Sequence, residues 1–96
     1  MARVAQKPGW FVYVVRCADR TLYTGVTTDT QRRIAEHNQG VGARYTRSRG
    51  PVRLVYTERA ADRGAALRRE HEIKRMSADA KKQLVARRRR RVTRRS

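Results

Sequence analysis

The stretch YTGVTTDTQRRIAEH, residues 23–37, gathers a tyrosine, two adjacent arginines and a histidine around one glycine turn. Phosphate chemistry draws on these side chains, with guanidinium groups for anionic oxygens and imidazole and phenol groups for protons. If residues after the turn are helical, Arg33 and His37 stand four apart on one face, and Arg32 and Glu36 share the neighbouring face. The plain reading of Arg32 with Glu36 is a surface ion pair worth about 0.3–0.5 kcal/mol. Arg33 lies close in sequence to Tyr23-Thr24-Gly25, which can bring a phenol at a strand end up to that helical face. A second clue is Glu70, in the run ALRREHEIKRM, which falls on the same helical stripe as Ala66 and Ile73. A carboxylate on a core-facing stripe needs a partner, because burying it unpaired costs several kcal/mol. That partner is a cation such as Arg33, a metal ion or a structural hydrogen bond. Glu72 points elsewhere and reads as a surface residue.

The elements that must position these groups follow from pattern. WFVYVVR is rich in aromatic and β-branched residues and reads as a strand, the turn-forming Cys17-Ala18-Asp19-Arg20 follows, and TLYTGV is a second strand, giving a hairpin. Thr28-Asp29-Thr30-Gln31 has the spacing of a capping box and opens a helix to about Asn38, which Gln39-Gly40 stops. GVGARYTRSRGP has three glycines and three arginines without periodicity and reads as a mobile basic loop. PVRLVYTE alternates as a half-buried third strand, with Tyr56 facing inward alongside Leu54. Ala60-Ala61-Asp62 leads into a helix over residues 63–76, and Ser77 caps a short final helix. The order β-β-α-β-α-α predicts an α+β fold, a small three-stranded antiparallel sheet packed with helices. Residues 1–8 read as a flexible arm, residues 9–86 as the domain, and residues 87–96 as an arginine-rich tail with little fixed structure.

With 96 residues the chain has length for one modest core. Its 25 Lys and Arg against 8 Asp and Glu give a formal net charge of +17, far beyond what solubility requires. All eight acids precede the tail, so the folded body is basic even without it. A polyanionic partner follows, and with it binding that weakens steeply with salt. The arginine run lacks an adjoining apolar face, which argues against a membrane surface. The apolar run from Trp10 is too short to span a bilayer. The single cysteine, Cys17, forms no internal disulfide and suits a reducing compartment, with the cytoplasm as the default.

Val12-Tyr13-Val14, the ten positions from Tyr13 to Tyr23, Tyr23-Thr24-Gly25, Arg33 ten positions further on, and Glu70 in a later helix together resemble the GIY-YIG nuclease domain. The runs YTGVTTDTQRRIAEHNQG, ARYTRSRGPVRLVYTE and ALRREHEIK are similar to its small stand-alone bacterial members, the UPF0213 group. The resemblance covers residues 9–86 and implies a metal-dependent phosphodiesterase site holding a single Mg²⁺ or Mn²⁺ ion. Carried over by position, Tyr23 activates water, Tyr13 positions it, Arg33 stabilises charge on the phosphoryl oxygens, His37 hydrogen-bonds or shuttles a proton, and Glu70 holds the ion. The first motif has Val12 where the family name has glycine, and the second has Thr24 in its middle. Some members also place an asparagine after the glutamate helix, whereas the asparagine here, Asn38, precedes it.

Two functions of different class follow. One is an endonuclease acting on DNA in preference to RNA, with little sequence selectivity of its own or with a partner protein supplying it. Arg32, Arg44, Tyr45, Arg47, Arg49 and Lys74 would grip the strand. The other is a non-catalytic nucleic-acid-binding or ribosome-associated module on the same fold. The two part on geometry: only the enzyme requires Tyr13, Tyr23, Arg33, His37 and Glu70 to converge.

Overall fold

The structure, a computed structural model, describes the backbone of residues 9–94 and side chains as far as residue 87. The arm expected over residues 1–8 lies outside the described residues. Strand β1 (Trp10–Arg16) pairs antiparallel with both β2 (Leu22–Thr27) and β3 (Arg53–Ala60), giving the sheet order β2-β1-β3. The near-continuous apolar run of β1 explains its central place, since both of its faces are covered. Val12 and Val14 point to one side and Tyr13 and Val15 to the other, and all four are buried.

Each face has its own core. On the first, α3 (Arg63–Lys74) and α4 (Ala78–Arg94) press Ala66, Ile73, Leu84 and Val85 onto Val12 and Val14. On the second, Ile34 of α1 (Thr30–Asn38) packs with Leu54 and Tyr23 against Tyr13, Val15, Cys17 and Val52. Burying an aliphatic side chain of the size of Val or Ile contributes about 1.5–3 kcal/mol, so these two small clusters carry much of the fold. The α+β architecture is the expected one, with a helix more than the expected order.

That extra helix is α2 (Arg44–Arg47), a single turn inside the segment read as a mobile loop. Its interior residue Thr46 is fully buried, which fixes the segment to the body. The cap of α1 is Asp29, whose carboxylate accepts from the Arg32 N–H at 3.0 Å, one residue beyond the expected Thr28. Asp62 and Ser77 cap α3 and α4 in the same way, accepting from Ala65 and Ala80. Tyr56 and Leu54 do not face inward together. The register shifts between Val14, opposite Tyr56, and Val15, opposite Leu54, so Val55 is an extra residue and Leu54 and Tyr56 fall on opposite faces. The helical backbone of α4 also continues to Arg94, where little fixed structure was expected. Arginine is a good helix former, and neither glycine nor proline interrupts the run.

Candidate active site

The site begins where β1 meets α1. Tyr13, 1% exposed, directs its hydroxyl at His37 Nε2, 2.9 Å away, and His37 is equally buried. On its far side His37 Nδ1 meets Thr46 Oγ1 at 2.6 Å, and the Thr46 hydroxyl donates to the Ala43 carbonyl at 3.0 Å. The hydroxyl has one proton, already committed to Ala43, so it must accept from Nδ1–H. This fixes the tautomer: Nδ1 carries the hydrogen, and Nε2 accepts from the Tyr13 hydroxyl. Burial, reinforced by the nearby Arg33 charge, pushes the His37 pKa below its ordinary value and keeps the ring neutral.

Two glycines make room for this chain. A Cβ on Gly25, directly opposite Tyr13 in the β1–β2 pair, would sit 2.4 Å from the Tyr13 hydroxyl oxygen. A Cβ on Gly42 would sit 2.4 Å from His37 Nδ1 and 2.9 Å from His37 Cα. The last residue of α1, Asn38, is tied to the start of the third strand segment, accepting from Val52 N–H at 2.7 Å and donating to Val52 O at 3.3 Å. Asn38 therefore serves to clamp α1 to the sheet.

Arg33, one turn before His37, donates to Glu36 at 2.8 Å and lies close enough to the Tyr13 hydroxyl for the two groups to influence each other's ionisation. Both contacts raise its pKa, Glu36 more than Tyr13, and keep its cation fixed beside the phenol. Burial raises the Tyr13 pKa, and Arg33 opposes that rise. Tyr13 is thus a neutral phenol that donates to the His37 imidazole and has the Arg33 guanidinium nearby.

Tyr23 stands beside this pair without joining it. Its ring meets the His37 ring edge-on, with centroids 5.6 Å apart, and stacks on Tyr45 at 5.6 Å with 20° between planes. Among the described residues no protein group hydrogen-bonds its hydroxyl, which leaves that oxygen available to a ligand. The His37 ring nitrogens bond Tyr13 and Thr46, and not Tyr23.

Glu70 comes from the opposite layer. It lies on the stripe with fully buried Ala66 and Ile73, its side chain is 19% exposed, and its charge reaches Tyr13. Its partner is Lys74, one turn on, with Nζ 3.2 Å from Oε2, and not Arg33. Lys74 Nζ also lies 5.9 Å from the centre of the Tyr23 ring, so it bridges the acid and the phenol. The i, i+4 spacing of Glu70 and Lys74 was the sequence signal for this pair. Thr46, Gly25 and Gly42 carried no comparable signal, because their roles depend on contacts between distant segments.

The residues expected to grip a strand divide. Arg32 is exposed and lies 3.7 Å from Glu36, as the ion-pair reading expects. Arg44 and Arg47 are exposed on α2 with no carboxylate partner among the described residues. Arg49 is held by Asp19 at 3.1 Å and the Tyr45 carbonyl at 2.9 Å, with its guanidinium 4.1 Å over the Tyr45 ring. Tyr45 is stacked on Tyr23, and Lys74 is engaged with Glu70. Glu72 is exposed on the surface and paired with Arg69.

Residues 9–83 match the model of the GIY-YIG catalytic domain. The chain belongs to the GIY-YIG family. It is 59% identical over 80 residues to a UPF0213 protein of Desulfotalea psychrophila, covering 82% of this chain and 73% of that protein. A UPF0213 protein of Natronomonas pharaonis is also 59% identical, over 76 residues covering 79% of this chain and 89% of the relative. The solution NMR structure of a UPF0213 protein from Bacillus halodurans superimposes with a TM-score of 0.54 at 47% identity, covering 81% of this chain and 83% of that one. GIY-YIG domains form a nuclease superfamily, so nucleic acid is the general class of partner. Among the described residues no helix is long and apolar enough to cross a membrane.

Proposed function

We propose that this GIY-YIG chain is a divalent-ion-dependent endonuclease that hydrolyses phosphodiester bonds in DNA with little sequence selectivity. What supports the reading most is that Arg33 of α1, Tyr23 of β2 and Glu70 of α3 each act electrostatically on the same Tyr13 hydroxyl.

The donor set fits a hard cation of the Mg²⁺ or Mn²⁺ kind. Glu70, a carboxylate only 19% exposed, would hold such an ion, with substrate phosphate oxygens and water available as further ligands. Magnesium is commonly held in this way, by one or two carboxylates plus substrate phosphates. Lys74, 48% exposed, holds the Glu70 oxygen and can swing into solvent when a stronger cation takes its place. The chemistry supplied by such an ion when held is polarisation of the phosphoryl oxygens and stabilisation of the leaving oxygen.

The chain's own residues orient the reaction around it. The Tyr23 hydroxyl accepts a hydrogen bond from the attacking water and turns a water lone pair toward phosphorus. Arg33 donates to a phosphoryl oxygen on which charge grows, and loss of one such donor costs on the order of 100- to 1,000-fold in rate. Tyr13, pinned by His37, lines that position beside the guanidinium, which Glu36 holds in place. His37 and Thr46 act as positioning residues behind Tyr13. The available cations, Arg44 and Arg47 among them, suit phosphate contacts, which orient a strand without reading its sequence.

The Glu70–Lys74 pair favours a second reading, a nucleic-acid-binding module without catalysis, because the carboxylate already has its cation. The two separate when purified protein is incubated with labelled single-stranded, duplex and flapped DNA, with and without Mn²⁺. The enzyme reading requires Mn²⁺-dependent products that Arg33→Ala reduces by at least about 100-fold. Retarded DNA with no product under any condition assigns the binding module.

A further inference from the structure

At the end of the sheet away from the α3 N-terminus, the turn between β1 and β2 and the start of β3 enclose a pocket of about 430 Å³. Its floor includes the buried side chains of Cys17 and Val52, and its walls carry Arg16, Arg20 and Arg53. Two features of these arginines are unexplained by the fold. Arg16 and Arg53 are direct cross-strand partners, an arrangement of like charges that destabilises a sheet. No carboxylate among the described residues pairs with any of the three. The nearest acid in sequence, Asp19, is already committed to Thr21 N–H, the Thr21 hydroxyl and Arg49.

The pocket also connects to the active site. The Ala18 N–H donates to the Arg49 carbonyl at 2.8 Å, the Arg49 guanidinium covers Tyr45, and Tyr45 stacks on Tyr23. A surface therefore runs from the open phenol through an aromatic pair to the three arginines.

We infer that Arg16, Arg20 and Arg53 form a second phosphate-binding site that holds the nucleic-acid backbone outside the scissile bond. The inference rests on reading the Tyr23 hollow as the nuclease site. A phosphate between Arg16 and Arg53 converts their repulsion into a bridge, and the apolar floor strengthens each charge-assisted hydrogen bond above it. The site sets where along a strand the protein sits, with the Tyr45–Arg49 segment as the spacer.

The test measures the affinity of full-length protein for a labelled single-stranded 16-mer across a salt series without divalent ions. Arg16→Gln/Arg20→Gln/Arg53→Gln is expected to weaken binding roughly ten- to a hundredfold at low salt. It should also flatten the slope of log affinity against log salt by about 0.7 for each phosphate the pocket holds. Arg68→Gln/Arg75→Gln/Lys82→Gln removes the same charge from α3, its C-cap and α4, and an equal loss in that variant overturns the proposal. So does an unchanged slope in the pocket variant. Because relief of the Arg16–Arg53 repulsion should leave the pocket variant melting no lower than the parent, a melt beforehand establishes folding, and Arg53→Gln alone serves as the milder variant. Melts in inorganic phosphate against chloride at equal ionic strength address the free anion. Pocket-dependent stabilisation there, with no change in the 16-mer slope, contradicts a strand-binding role. Glu70→Ala runs in parallel: cleavage retained in that variant refutes the active-site reading, while the salt slope of the pocket variant separately decides this one.

Discussion

Thr46→Val is the sharpest probe of how the site is braced. Valine matches threonine in shape, so it removes the hydroxyl while keeping the volume of a fully buried side chain. Two bonds go with it, the 2.6 Å contact to His37 Nδ1 and the 3.0 Å bond to the Ala43 carbonyl. A buried N–H left without an acceptor costs about 1–3 kcal/mol. In a domain of this size each kcal/mol moves the melting temperature by about 4–8 °C, so a fall of roughly 5–20 °C is expected. The substitution also frees the imidazole to place its proton on either nitrogen. Nitrogen-15 NMR of the histidine side chains should show His37 protonated at Nδ1 in the parent chain and a mixture of tautomers in Thr46→Val. Thr46→Ser keeps the hydroxyl and should keep the single tautomer. A parent His37 protonated at Nε2, or a Thr46→Val melting point equal to that of the parent, would refute the hydrogen-bond chain.

The remaining expectations concern glycines, pH and the acid. Gly25→Ala puts a methyl 2.4 Å from the Tyr13 hydroxyl oxygen, and because Tyr13 has no space to retreat the melting point should fall by an amount matching about 1–3 kcal/mol. Gly64→Ala, whose added Cβ meets nothing nearer than 3.5 Å at the start of α3, should instead stabilise by roughly 0.4–1 kcal/mol in a denaturant titration. His37 has a folded pKa below its unfolded value of about 6.5, so the unfolded state binds the extra proton first as pH falls. Stability should therefore be complete above about pH 6.5 and decline below it, by up to about 1.4 kcal/mol per pH unit until the folded pKa is reached. Chemical denaturation between pH 7.5 and 5 checks this, and His37→Gln should flatten the decline.

Much of this arrangement is written locally. The aromatic and β-branched run of β1, the turn residues after it and the buried stripe of α3 each mark an element through its own periodicity, and Glu70 stands out by interrupting that stripe. Other features depend on neighbours that the sequence does not order. Thr46 sits among glycines and arginines with no helical pattern, and α2 is held by contacts with distant residues, its bond to His37 and the stacking of Tyr45 on Tyr23. The bulge at Val55 reverses a local alternation because β1 dictates the register, so Tyr56 leaves the face that Leu54 occupies. The capping-box spacing pointed to Thr28 as a cap, whereas Asp29 reaches the Arg32 N–H with a stronger, charged acceptor. The opposition of Arg16 and Arg53 likewise exists only once the strands pair.

Single-turnover cleavage of a labelled DNA strand in Mn²⁺ tests the joining of acid, phenol and guanidinium into one site most directly. Glu70→Gln is the decisive variant, since it keeps the shape of the side chain and removes the charge that would hold the ion. The site described here predicts a rate at least about 100-fold lower than that of the parent chain, at an unchanged melting point. A Glu70→Gln protein that cleaves at the parental rate would contradict it.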